Sequence, residues 1–309
     1  ASFRIVTYDP HKRHSNLHVI DVSEPDKLQI TGKLLGIAPG EKLYATRFDG
    51  KTAYVVTFRR TDPLWIISLQ DATKPRIVGE LHVPGWSDFL FPRGKYLINV
   101  GRGDNGNGVG VSMFDVSDPK QPRVVDMITL GNSNATSEAN VDHRAVTLID
   151  QPGGEGWLVL VPHTTVDWSS SCAIQDRLEL VDASAKGLQA RGTVEQTGTI
   201  RRTLLVGAEL YSISDHEVLA LDIGDRDNPR VDTAVTVGLG SYQHPEQNSY
   251  CSQYPPHGGH VDYEDDSAPF LFTCQLGEGD APALPPTVFV LGAVWLAGWL
   301  LRRRRRRGV

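Results

Sequence analysis

The sequence predicts an all-β fold assembled from about five repeated four-strand units. Three observations carry that expectation: one motif recurs at a near-constant interval, short β-rich runs alternate with turn residues between its copies, and 30 glycines and 19 prolines supply the turns. The motif reads LHVIDVSEPDKLQITGKL from Leu17 to Leu34, LWIISLQDATKPRIVGEL from Leu64 to Leu81 and VSMFDVSDPKQPRVVDMI from Val111 to Ile128, with weaker copies at Leu178 to Val194 and Val218 to Val235. Its turn-entry residues Asp21, Ser68, Asp115, Asp182 and Asp222 stand 47, 47, 67 and 40 residues apart. That is the spacing of blades in a β-propeller, over residues 1–239.

The first unit reads as incomplete. Phe3 to Tyr8 matches a second strand and Leu17 to Val22 a third, so an opening strand is expected either from upstream sequence or from PFLFTC at Pro269 to Cys274. The chain begins at Ala1 rather than methionine and is expected to start within a domain. The second unit shows all four strands, at Leu43 to Phe48, Ala53 to Phe58, Leu64 to Leu69 and Ile77 to Val83, with Asp49-Gly50 as its first hairpin turn. Similar quartets fit Phe89 to Leu130, His143 to Val194 and Ile200 to Val237. The 67-residue interval implies an insertion near Gly131 to Asn140 and loops around Gln151 to Gly156 and Thr164 to Gln175.

The Asp-x-Ser-Asp-Pro-x-x-Pro element explains itself as a turn. Asp and Ser side chains satisfy backbone groups there, and Pro presets φ while lacking an N–H. Pro122 and Pro229 fall at the start of a fourth strand, an edge position that tolerates a missing donor. Asp21, Asp115, Asp182 and Asp222 are therefore read as structural.

Charge separates the body from the tail. The net charge is −6, but Arg302 to Arg307 contribute six positive charges, so the rest of the chain is acidic. An acidic body argues against nucleic acid as a partner, because phosphate contacts need a basic face. The three cysteines, Cys172, Cys251 and Cys274, are too few for a disulfide scaffold. One bridge is compatible with an oxidising compartment; Cys251 with Cys274 is the preferred pair, Cys172 competes for either, and three free thiols are the alternative.

Several segments, GEKLYATRFDGKTAYVVTFRRTDPLWIISL, VSMFDVSDPKQPRVV, SEANVDHRAVTLID and RTLLVGAELYSISDHEVLALDI, resemble the prokaryotic family of predicted secreted proteins with a C-terminal β-propeller domain. The similarity covers Ile5 to Val237 and is most specific at Phe58 to Pro63 and Ser137 to Ala145. It implies a propeller and export, and no established activity.

Beyond Gly238 the chain departs from that pattern. Residues 240–285 form a Cys- and His-containing extension or linker that is a candidate to close the ring, and 286–309 a transmembrane or sorting tail. Thr287 to Leu301 is uncharged and mostly apolar, about 22 Å long as a helix against a hydrocarbon core of about 30 Å. Trp295, Trp299 and the snorkelling arginines ease the mismatch. Positive flanks stay cytoplasmic, which places the propeller outside. The tail resembles bacterial surface-protein sorting tails of the myxobacterial type, without their small-residue and cysteine signature.

Three clusters are candidate sites. His257, His260 and Asp262 place two imidazoles and a carboxylate in a glycine-containing loop, a ligand set that suits zinc. Asp104, Asn105 and Asn107 offer oxygen ligands that suit calcium, although the loop fails the calcium pattern at its acidic position. Glu138, Asp142 and His143 stand just before a first strand, where they are expected to face the central channel as binding residues. Each cluster also has a plain structural reading, as loop histidines, a Gly/Asn hairpin and a capping segment respectively. His11, His14 and His18 read as a polar hairpin.

No nucleophile motif or phosphate loop accompanies these clusters. The expectation is a membrane-anchored, surface-displayed or periplasm-facing propeller that binds a protein or glycan, with no cofactor beyond a candidate calcium or zinc ion. The alternative is an extracytoplasmic metal-assisted hydrolase or lyase using the channel.

Overall fold

The computed structural model describes residues 2–58, 62–83, 86–103, 106–151, 156–167 and 173–237. These contain nineteen strands in five antiparallel sheets, each made of strands consecutive in the chain. Blade 1 comprises β1 (Ser2–Asp9), β2 (His14–Asp21) and β3 (Gln29–Ile37). Blade 2 comprises β4 (Lys42–Asp49), β5 (Thr52–Phe58), β6 (Asp62–Ser68) and β7 (Arg76–Val83). Blade 3 comprises β8 (Trp86–Arg93), β9 (Tyr96–Arg102), β10 (Val109–Asp115) and β11 (Arg123–Leu130). Blade 4 comprises β12 (Thr147–Asp150), β13 (Trp157–Asp167), β14 (Ala173–Ser184) and β15 (Gly187–Gln196). Blade 5 comprises β16 (Ile200–Val206), β17 (Glu209–Ser214), β18 (Glu217–Asp222) and β19 (Arg230–Thr236). Among the described residues blade 1 has three strands, with its motif-bearing strand in the third-strand role.

The middle strands of blades 2, 3 and 4 are apolar on both faces because each of these blades lies between two others. Strand side chains alternate between faces, and here both faces meet a core. On β5, Ala53 and Val55 join Leu17, Val19 and Ile37 of blade 1, while Tyr54 and Val56 join Leu90, Leu97 and Phe114 of blade 3. On β13, Val159 and Val161 pack with Val111 and Met113, and Leu158 and Leu160 with Ile200, Leu210 and Leu219. Four cores thus join blades 1–2, 2–3, 3–4 and 4–5. Each fully buried aliphatic side chain contributes about 1.5–3 kcal/mol.

The recurring acids are turn residues. Asp21, Asp115 and Asp222 each accept the backbone N–H two residues on, from Ser23, Ser117 and Gly224 at 2.8–2.9 Å. Asp182 differs from its expected place, because blade 4 joins its third and fourth strands by a short hairpin through Gly187. Its carboxylate instead meets Gln151, Arg191 and Arg226. The segment read as a loop at 164–175 is also different, since Thr164 to Asp167 and Ala173 to Gln175 extend the β13–β14 ladder. Gly50 takes a φ of 51° in the two-residue β4–β5 turn, which a side chain disfavours.

The predicted linker, the tail, all three cysteines and Pro269 to Cys274 lie outside the described residues. Among the described residues no helix is long and apolar enough to cross a membrane.

Candidate functional site

The repeat is most strongly interrupted at the entry to blade 4. First strands β4, β8 and β16 have 8, 8 and 7 residues, whereas β12 has 4. Two 3-10 turns, Glu138–Asn140 and His143–Ala145, precede it. The first turn lies against β8, β9 and β13 and the second against β16. A polar segment is thereby held between the first strands of blades 3 and 5.

Local sequence explains the turns. Ser137 caps the first, accepting from Ala139 N–H at 3.0 Å and donating to the Pro162 carbonyl, while the Asn140 amide oxygen accepts the Ser137 N–H at 2.9 Å. Asp142 caps the second, accepting from Arg144 N–H at 3.0 Å. Such caps satisfy N–H groups that short helical turns leave unpaired. Ala139 and Ala145 are fully buried in the core between blades 3 and 4, and Thr136 pairs with Thr164 as an isolated bridge. Small apolar anchors therefore alternate with outward polar residues.

Those polar residues are clamped from both sides. Glu138 accepts from Arg201 at 2.7 Å, and Arg201 also reaches Asp215 at 3.3 Å. Asp142 takes Arg202 at 2.6 Å and a two-pronged contact from Arg144 at 3.0 Å. Asn140 donates to Asp88 at 2.6 Å. Below them Thr203 donates to Thr147 at 2.6 Å, tying β16 to β12. Asp88 and Arg201 occupy one structural position, the bulged residue near the start of a first strand, which Tyr44 holds in blade 2. Bulges redirect side chains out of the ladder.

Two acids here have opposite electrostatics. Burial pushes Asp88 up to about 6, against the Asn140 hydrogen bond and the Arg102 charge. The Arg144 hydrogen bond, with further help from Arg202, holds Asp142 well below the usual carboxylate range. The site thus sets a carboxyl whose proton is retained by burial beside a carboxylate held ionised by arginine. The guanidinium side chains of Arg144 and Arg201, 68% and 44% exposed, face solvent. Such a surface presents donors and acceptors in fixed places, suited to hydroxyls, amides and charged groups of a polar ligand.

Of the predicted residues, Glu138 and Asp142 come together with arginines. His143 packs against the Phe89 ring at 5.6 Å between centroids. Asn107 is exposed in a β9–β10 hairpin closed by backbone bonds among Gly103, Gly106 and Gly108. Asp104, Asn105, His257, His260, Asp262, Cys251 and Cys274 lie outside the described residues. Among the described residues no three His, Cys, Asp or Glu side chains are grouped to hold a metal ion. The residues missed by sequence reading are Asp88, Asn140, Arg201 and Arg202; aligning the first strands of successive blades exposes the shared Asp88 and Arg201 position.

Other buried ionisable groups lie on the long β13–β14 hairpin. Burial brings His163 down to about 4 and takes Glu179 up to about 7. A separate open cleft of about 830 Å³ runs between β15 and the blade 5 turn, lined by Arg191, Asp225, Asp227, Asn228 and Arg230 among others.

The chain is similar to several known proteins. An uncharacterised protein of Methanocaldococcus jannaschii is 40% identical over 120 residues, 38% of this chain and 18% of the relative. One of Archaeoglobus fulgidus is 38% identical over 140 residues, 45% of this chain and 21% of the relative. The chain therefore spans about a fifth of the length of these curated relatives. Among solved structures, dihydro-heme d1 dehydrogenase NirN in complex with DHE aligns at 12% identity and a TM-score of 0.49, over 77% of this chain and 46% of that one. A hypothetical selenium-binding protein from Sulfolobus tokodaii aligns at 12% identity and 0.41, over 74% and 58%. The Beta propeller domain family matches residues 1–226, most of the chain, and the chain belongs to that family.

Proposed function

We propose that this protein is a binding module, exported and held at a membrane by its C-terminal tail, and that it engages a protein or glycan through the polar segment 137–146 and the arginines around it. One observation carries the reading: half of a first strand is given up for capped, ion-paired turns between blades 3 and 5. The fixed network also lowers the ordering entropy that ligand binding must overcome. The tail with its six arginines supports the anchored, outward-facing placement.

The test uses the full chain in detergent, presented to a glycan array and to an extracytoplasmic protein extract with crosslinking. The reading expects saturable binding that is weakened by Arg144→Ala. Substrate turnover without any saturable partner contradicts it.

A further inference from the structure

Four junctions join the five blades, and each repeats one device. The fourth strand of the earlier blade carries a bulge, at the register shifts opposite Val19, Ile66, Met113 and Glu179. A residue at that bulge meets the turn between the third and fourth strands of the next blade. In three junctions it is glycine. A Cβ on Gly32 would overlap the Ala72 carbonyl oxygen, one on Gly79 the Pro119 carbonyl oxygen, and one on Gly192 would lie 2.8 Å from the Arg226 carbonyl oxygen. The Gly192 N–H donates to that same carbonyl at 2.8 Å. Ala72, Pro119 and Arg226 hold one position in aligned turns.

The remaining junction replaces both halves together. Blade 4 presents its short hairpin, and the receiving residue is Asp126, whose carboxylate accepts the Leu188 N–H at 2.8 Å. A Cβ on Gly187 would lie 2.5 Å from that carboxylate. A long turn therefore meets glycine, and a short glycine hairpin meets a carboxylate.

The blade 1 turn and β19 take no part in these four junctions, and they do not match each other. Residues 23–27 form a long turn in which Pro25 aligns with Ala72, Pro119 and Arg226, and Asp26 aligns with Asp227. Asp227 pairs with Arg191 at 2.7 Å, one residue before the receiving Gly192. At the corresponding places β19 has Asp232 for Arg191 and Thr233 for the glycine. Thr233 fills the space a carbonyl needs, and Asp232 would face Asp26 with like charge. All seven residues of β19 are exposed, as are residues 24–28.

We infer that the blade 1 turn is a docking surface for a further β-blade whose fourth strand bears glycine at its bulge and a basic residue just before it, and that β19 of this chain is excluded from that role.

The test converts β19 into the stated partner. Thr233→Gly with Asp232→Arg is made in the full chain, and backbone amide exchange of residues 23–27 is followed by mass spectrometry at high protein concentration. The wild type is expected to exchange rapidly there. The double variant is expected to slow by about tenfold, through docking within or between copies, and adding Asp26→Arg is expected to restore rapid exchange. The inference is overturned by slow wild-type exchange at 23–27. It is equally overturned by a double variant that melts like the wild type yet shows no slowing.

Discussion

Blades 2 and 4 follow one plan and part company at their first strands. In blade 2 the eight residues of β4 run into a two-residue turn, and the Asp-Pro vocabulary of the repeat is absorbed into turns and blade contacts. In blade 4 only four residues remain as strand, and the positions before them carry Glu138, Asn140, Asp142 and Arg144 facing Asp88, Arg201 and Arg202. Residues that repeat serve the architecture, and residues that interrupt the repeat are released for other work.

The comparison breaks most readily at its regular side. Gly79→Val drives a branched side chain into the Pro119 carbonyl and is expected to cost about 3 kcal/mol or more in urea unfolding at pH 7. Asp126→Ala, at the matching place in the next junction, removes the acceptor of the Leu188 and Met127 N–H groups, about 2 kcal/mol. Equal costs at the two sites would deny that their junctions are built differently.

At the interrupted side the two acids should respond to pH in opposite directions. Asp88 is raised from 3.8 to about 6, so the folded state holds its proton more tightly than the unfolded state does. Its contribution is full below pH 3.8 and lost as pH rises through about 6. Asp88→Asn, which keeps an acceptor for Asn140, is therefore expected to gain about 1–2 kcal/mol relative to wild type between pH 4 and 7. Urea midpoints across that range check it; parallel curves would place Asp88 in a more solvated setting.

Asp142 is depressed, so its contribution is present above its unfolded value of 3.8 and disappears as pH falls towards its folded value. Because Arg144 is largely exposed, screening keeps the effect small. Asp142→Asn should lower stability by about 1 kcal/mol at pH 7 and converge on wild type in acid. Smallest of all, Asn107→Ala in the exposed β9–β10 hairpin should change stability by no more than about 0.5 kcal/mol, measured by thermal melting.

Much of the fold was legible because blade formation is local. Each blade is made of consecutive hairpins, so strand runs such as Ala53 to Phe58 and turn residues such as Asp115 announce themselves within a few residues. Even the three-strand form of blade 1 among the described residues follows from aligning Leu17 to Leu34 with its copies. The long β13–β14 ladder was misread because Thr164 to Gln175 is polar, and hydrogen bonding across a hairpin does not need apolar side chains. Asp182 was misread because the repeat was extended over a blade whose hairpin is shorter. The site was legible only in part. Glu138 and Asp142 stand out beside the first strand, but their partners Arg201 and Arg202 arrive from the next blade, sixty-odd residues on. Only the arrangement of neighbouring blades brings them together.

Ligand binding is proposed to reside in the interruption and not in the repeated turns. The direct measurement is saturable binding of the partner captured by the full chain, compared across wild type, the pair Arg144→Ala with Arg201→Ala, and Asp118→Ala in a repeated turn. The arginine pair is expected to lose binding by about tenfold or more while melting close to wild type, and Asp118→Ala is expected to bind normally. Normal binding by the arginine pair, or equal loss in Asp118→Ala, would contradict the proposal.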